Sequence, residues 1–162
     1  MSDETLMAEA KKFEKNLLNF FWRQGVSYEE GEDLVQETYL RLWKYRREYR
    51  PTAKLSTFLF LLARQVRIDA LRRQVRRAGR EERWGREQPT AEGPKVSGER
   101  EDVRWAVARL SEPLRDVVEL GVFQDLPYAE VAEILGIPTG TVKSRMSNAL
   151  KKLKEFFDEQ GS

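Results

Sequence analysis

Residues 126–153 read LPYAEVAEILGIPTGTVKSRMSNALKKL. From Tyr128 to Leu153 the pattern is that of a helix-turn-helix. Val131, Ile134 and Leu135, then Val142, Met146, Leu150 and Leu153, recur at helical spacing. Ala132 is small where two helices must cross closely. Gly136 follows Leu135, where the turn needs a residue that tolerates positive φ. Ile137, Val142 and Met146 supply the apolar contacts that set the angle between the helices. A unit of this shape presents its second helix to a DNA major groove.

On a wheel of about 100° per residue, the second helix divides cleanly. Val142, Met146, Ala149, Leu150 and Leu153 lie on one side. Thr141, Ser144, Asn148 and Lys151 lie on the other, flanked by Lys143 and Arg145. Short hydrogen-bonding side chains reach base edges, while flanking cations neutralise phosphates. Lys151, Lys152 and Lys154 add sequence-independent attraction. Thr139 or Thr141 is expected to cap the helix, and Gly140 to let its backbone come close to DNA. A solvated basic helix would share the cations but not the Ala132–Gly136–Val142 spacing.

Upstream, nearly everything reads as helix. Residues 4–24 carry Leu6, Phe13, Leu17, Phe20 and Phe21, and Gly25 ends that helix. Ser27 and Glu30 form a capping-box pattern for a second helix running to about Tyr45. Its inner face holds Val35, Tyr39 and Leu42. Asp33, Gln36, Glu37 and Leu40 project elsewhere with Trp43 at the edge, an arrangement suited either to protein docking or to packing on the first helix. Pro51 breaks the chain, and a third helix runs from near Ser56 through Arg77. That helix is apolar and aromatic first, then cationic: Arg64, Arg67, Arg72, Arg73, Arg76 and Arg77. Tyr49, Phe58 and Phe60 beside those cations could stack on unpaired bases, although for Phe58 or Phe60 individually a core position is the better reading.

Residues 79–100 contain four glycines, two prolines and many charges, and are expected to be a flexible linker. Helical periodicity resumes with Val103, Val107 and Leu110, then Leu114, Val117, Val118 and Val122. The expected fold class is all-α: two small helical domains, 1–78 and 101–160, on a tether.

The 162-residue chain has a net charge of only +2, but unevenly spread. Residues 29–37 carry five acids and no base, whereas residues 64–80 carry seven arginines against one aspartate. Such segregation implies two kinds of partner. The absence of cysteine and histidine excludes disulfides, thiolate metal sites and imidazole catalysis. No cofactor or metal is expected. The longest apolar run, 58–63, is too short to span a bilayer, and the N-terminus does not resemble a signal peptide, so a cytoplasmic protein is expected. No fused C-terminal regulatory domain is expected either.

DLVQETYLRLW at 33–43 and STFLFLLARQVRIDALRR at 56–73, followed by a linker and then the 126–153 segment, together resemble an extracytoplasmic-function sigma factor. These are small bacterial transcription initiation factors that keep only the second and fourth sigma domains. The resemblance covers nearly the whole chain. It implies that Asp33, Gln36, Glu37, Leu40 and Trp43 dock on the β′ clamp helices of core RNA polymerase, with the β flap as a further contact. It implies that residues 49–56 and the helix beyond handle the minus-ten element, through Tyr49, Lys54, Phe58, Phe60, Arg64, Gln65, Arg67, Arg72 and Arg73. It also implies that Thr141, Lys143, Ser144, Arg145, Ser147, Asn148 and Lys151 read the minus-thirty-five element. An anti-sigma factor is a further partner the family suggests.

Departures limit the transfer. Phe58 stands where tryptophan is usual, Gln65 where asparagine is usual, and Asn148 where arginine is frequent. Pro127 replaces the usual serine cap, although Glu130 keeps the other half of the capping box. The competing expectation is a free-standing helix-turn-helix regulator with a helical interaction domain, which would need neither DLVQE nor the arginine-rich helix.

Overall fold

The computed structural model describes residues 2–49, 54–82 and 99–161. The described residues form eight α-helices in this order: α1 (Asp3–Lys11), α2 (Glu14–Trp22), α3 (Tyr28–Lys44), α4 (Leu55–Glu82), α5 (Glu99–Arg109), α6 (Glu112–Val118), α7 (Tyr128–Leu135) and α8 (Thr139–Gly161). A 3₁₀ turn follows α3 and a π-turn, Glu119–Phe123, follows α6. The described residues include no strand, as expected for an all-α chain. The expected break at residues 50–52 and most of the expected linker lie outside the described residues. Helices α4 and α5 run into that linker from both ends.

The first expected helix is two. The Phe13 amide turns back to the Ala10 carbonyl at 3.0 Å, and Phe13 itself has φ −95°, ψ 6°. The kink lets Leu6 and Ala10 on α1, and Leu17, Phe20 and Phe21 on α2, all point inward. Gly25, at φ 92°, ends the segment where glycine was expected. Ser27 Oγ accepts the Glu30 amide at 3.1 Å and starts α3.

Buried residues of α1–α4 and of α5–α8 form one hydrophobic core. At its N-terminal end Phe20 meets Phe21 and Phe60 edge-on, at centroid distances of 5.1 and 5.7 Å. Arg104 of α5 ties the halves by donating Nε to the Trp22 carbonyl at 2.8 Å and Nη2 to the Val26 carbonyl at 2.7 Å. Those carbonyls lie at and just beyond the end of α2, where a cation satisfies the helix terminus.

The π-turn corrects the expected register after α6. The Gln124 amide bonds back to the Glu119 carbonyl at 3.0 Å, adding a residue to the turn. Val122, expected to be apolar-inward, is therefore 49% exposed, and Glu119 is fully buried.

Candidate nucleic-acid interface

Helices α7 and α8 form the expected helix-turn-helix. Gly136 ends α7 in the left-handed region at φ 66°, ψ 36°. The Pro138 carbonyl receives the amides of Thr141 and Val142 at 3.0 and 3.2 Å, starting α8. Val142, Met146 and Ala149 are buried. Leu150, expected on the same side, is 48% exposed. On the opposite face Lys143, Ser144, Ser147, Asn148 and Lys151 are exposed, with Thr141 and Arg145 half-buried beside them. Ser144 Oγ donates to the Thr141 carbonyl at 3.2 Å. All seven expected groove-facing residues thus lie on or beside one solvent-facing surface.

A residue that periodicity does not single out lies directly against α8. A Cβ on Gly121 would stand 2.6 Å from Met146 Cε. The absence of a side chain in the π-turn lets Met146, the inward pin of α8, seat fully.

In the N-terminal half, α3 presents Asp33, Gln36, Leu40 and Trp43 to solvent. Leu40 is 69% exposed, an isolated apolar tip on a polar helix. Arg46 stacks over Trp43 at 3.9 Å from the ring centroid and holds that ring in place. Glu37 is half-buried: Arg41 Nη2 pairs with it at 3.0 Å and Arg73 Nη2 at 3.5 Å, bracing α3 against α4.

The expected minus-ten residues divide. Gln65 and Arg72 are exposed, and Arg73 reaches solvent beside Glu37. Tyr49 and the half-buried Phe58 pair at 5.5 Å with a 39° tilt. Phe60 and Arg67 leave the surface set. Phe60 is 1% exposed in the aromatic core. Arg67 is buried, donating Nε to Gln24 Oε1 at 3.0 Å and Nη2 to the Gln24 carbonyl at 3.4 Å. Burial lowers its guanidinium pKa, with the nearby Arg115 acting the same way.

Two more expected DNA residues already have partners in the C-terminal half. Lys54 Nζ lies 3.0 Å from Glu130 Oε1, and Arg64 Nε lies 3.4 Å from Asp116 Oδ2. Thr57 Oγ1 donates to Glu130 Oε2 at 3.0 Å. Glu130 thus spends its carboxylate across the molecule rather than in a capping box, and no side chain caps α7. Asp116 and Glu119 were not singled out from sequence, although two carboxylates three residues apart inside the apolar run 114–123 were the available signal.

A helix-turn-helix with a polar, cationic outer face defines the chain as a DNA-binding protein. Residues 10–77 match the model of Sigma-70 region 2, and residues 100–153 match that of Sigma-70, region 4. The ECF RNA polymerase sigma factor RpoE of Cereibacter sphaeroides is 30% identical over 157 residues, covering 94% of this chain and 87% of that protein. The ECF RNA polymerase sigma factor SigL of Mycobacterium tuberculosis is 34% identical over 136 residues, covering 82% and 77%. In structure, the chain is similar to the sigma factor RpoE of Bartonella quintana, solved with the anti-sigma factor NepR, at a TM-score of 0.79 and 24% identity over 93% of this chain and 95% of that one. It is also similar to CnrH, solved with the cytosolic domain of CnrY, at a TM-score of 0.73 and 18% identity over 98% and 90%. The chain belongs to the extracytoplasmic-function sigma factors, and as such it directs RNA polymerase to promoters. No helix among the described residues is long and apolar enough to cross a membrane.

Proposed function

We propose that this sigma factor reads two promoter elements with two surfaces. The outer face of α8 reads duplex DNA at the minus-thirty-five element. Tyr49, Phe58 and the exposed cations and amides of α4 hold the separated minus-ten strand. The observation that carries this reading is the division of α8, where Val142 and Ala149 are fully buried while Ser144, Ser147 and Asn148 face solvent. Ser144, Ser147 and Asn148 supply base-edge hydrogen bonds, and Lys143, Arg145 and Lys151 neutralise phosphates. On the minus-ten strand, stacking contributes about 1–3 kcal/mol per base.

The polar helix α3, with its protruding Leu40 and Trp43, is the surface for the β′ clamp helices of core polymerase. The β flap meets the C-terminal half. Sigma contributes binding and strand separation and no covalent chemistry of its own. It works in the cytoplasm, where polymerase and chromosome are. An anti-sigma factor is a natural partner, since the Bartonella quintana relative was solved with one. Nothing favours a free-standing regulator over this reading.

Site-directed crosslinking within the polymerase–promoter complex tests it. A photoreactive group at Ser147 is expected to label duplex near minus thirty-five, and one at Gln65 to label the minus-ten strand. Interchanged labelling, or none, would overturn the assignment.

A further inference from the structure

The outer face of α8 carries a pattern of donors and acceptors that its residue types alone do not disclose. Ser144 Oγ donates to the Thr141 carbonyl at 3.2 Å, one turn back along the helix. A serine hydroxyl has one proton and two lone pairs. With that proton committed to the backbone, Ser144 offers an incoming base acceptor capacity only. Ser147, also exposed, makes no such bond among the described residues and can turn its hydroxyl either way. Asn148 is exposed one turn beyond Ser144, and its amide has no partner among the described residues. It therefore keeps a carbonyl acceptor and an amino donor side by side.

At 1.5 Å of rise per residue, Ser144 and Asn148 stand about 6 Å apart along the axis. Bases along a strand are about 3.4 Å apart, so the two side chains meet bases within about two steps of each other. In the major groove adenine alone sets a donor beside an acceptor on one base, N6–H and N7. A hydroxyl restricted to accepting meets the amino group of adenine N6 or cytosine N4.

We propose that Asn148 and Ser144 fix the base preference of the minus-thirty-five element. Asn148 takes adenine through N6 and N7, and Ser144, within two base steps, takes adenine or cytosine through the amino group. This rests on the assignment of α8 to that element and gives it a base code. Lys143, Arg145 and Lys151 add affinity without choosing between bases. An arginine in place of Asn148 carries donors only, in the fork that matches guanine O6 and N7. Asn148→Arg therefore converts the readout rather than abolishing it.

Promoter selection with core polymerase and this chain, from duplexes randomised through the minus-thirty-five region, reads the code. Wild type is expected to select adenine at one position by about tenfold or more. Asn148→Arg should move that position to guanine, and Asn148→Ala should flatten it. Ser144→Ala should relax a different position, within two steps, at which wild type takes adenine or cytosine. Both side chains are exposed, so these changes leave the fold intact.

Adenine is also favoured through the narrow, stiff groove of A-rich duplex, without any base contact. A promoter with 7-deaza-adenine at the selected position lacks only the N7 acceptor and separates the two sources. It should bind wild-type holoenzyme several-fold more weakly than the unmodified promoter, and Asn148→Ala holoenzyme equally well. Equal binding of both duplexes by wild type, or an adenine preference that survives Asn148→Ala and Asn148→Arg, overturns the proposal and leaves α8 as a reader of shape. Promoter use indifferent to every one of these variants overturns the minus-thirty-five reading with it.

Discussion

Arg23 grips Glu119 with one edge of its guanidinium: Nη2 to Oε1 at 2.6 Å and Nε to Oε2 at 2.8 Å. The pair joins the end of α2 to the π-turn, and the same guanidinium stacks 3.9 Å from the centre of Phe123. Gln124 Nε2 adds a donor to Glu119 Oε1 at 3.2 Å. Burial pushes the Glu119 carboxyl above its ordinary pKa, and Arg23 opposes that. Removing one partner strands the other charge. Glu119→Ala is expected to cost about 3–5 kcal/mol of stability, with Arg23→Leu/Glu119→Leu losing much less. Guanidinium unfolding curves of both variants check this. Equal losses would show that the charge pair is not what matters.

Asp116 predicts a pH dependence. Burial raises its carboxyl pKa, and the attraction of Arg64 only partly offsets the shift. An acid whose folded pKa is raised holds its proton longer folded than unfolded. Its charged form therefore weakens the fold as pH climbs through the raised value, and below its unfolded pKa the cost is absent. Asp116→Asn has no such titration. The stability of wild type relative to Asp116→Asn should fall as pH rises from the ordinary aspartate range upward. Growth over that range would mean that Arg64 dominates and the carboxylate is held charged.

The α8 face predicts two kinds of DNA phenotype. Ser144→Ala or Asn148→Ala should change which bases are preferred, at about 1–3 kcal/mol for the contacted pair. Lys143→Ala or Lys151→Ala should weaken all sequences alike and lower the salt slope by about one. Binding across a set of minus-thirty-five variants at several salt concentrations separates them. Uniform weakening by Asn148→Ala would remove it from base reading.

On α3, Leu40→Ala and Trp43→Ala should each weaken core-polymerase binding, by about 2 kcal/mol or more if they are the centre of the contact. Both side chains are substantially exposed, so thermal stability should hardly change. Competition against a labelled sigma factor reads the affinity. Unchanged affinity in both variants would move the docking site elsewhere.

Gly121→Ala should cost at most about 1 kcal/mol, because the new Cβ would meet the flexible end of the buried Met146 side chain, which must shift, while alanine favours the helical turn. Shortening the neighbour should relieve it, so Gly121→Ala/Met146→Val should lose less than the two single changes summed. Additive losses would locate the strain elsewhere.

These cases show where sequence reading succeeds. Val142, Met146 and Ala149 follow strict helical spacing, so the inner and outer faces of α8 were legible. Gly25 and Gly136 were legible because only the left-handed turn demands them, and Ser27 because a hydroxyl before a helix has one obvious partner. The kink at Lys12–Phe13 was hidden, because Leu6, Phe13 and Leu17 also fit one straight helix. The π-turn was hidden because an extra residue per turn leaves no residue-type signature, and its register shift put Val122 outside and Glu119 inside. Arg67 stands among true surface cations, and only the reach of Gln24 reveals it as interior, whereas a core position was already the better reading of Phe60. Glu130 fitted a local motif, and its long-range use depends on where α7 lies against α4.

The most direct test of the central claim is run-off transcription with purified core polymerase from a randomised promoter library, with and without this chain. The account predicts transcripts only when the chain is present, enriched for a minus-thirty-five and a minus-ten element at fixed spacing. A chain that fails to bind core, or that binds a single operator tightly as a dimer without polymerase, would contradict it.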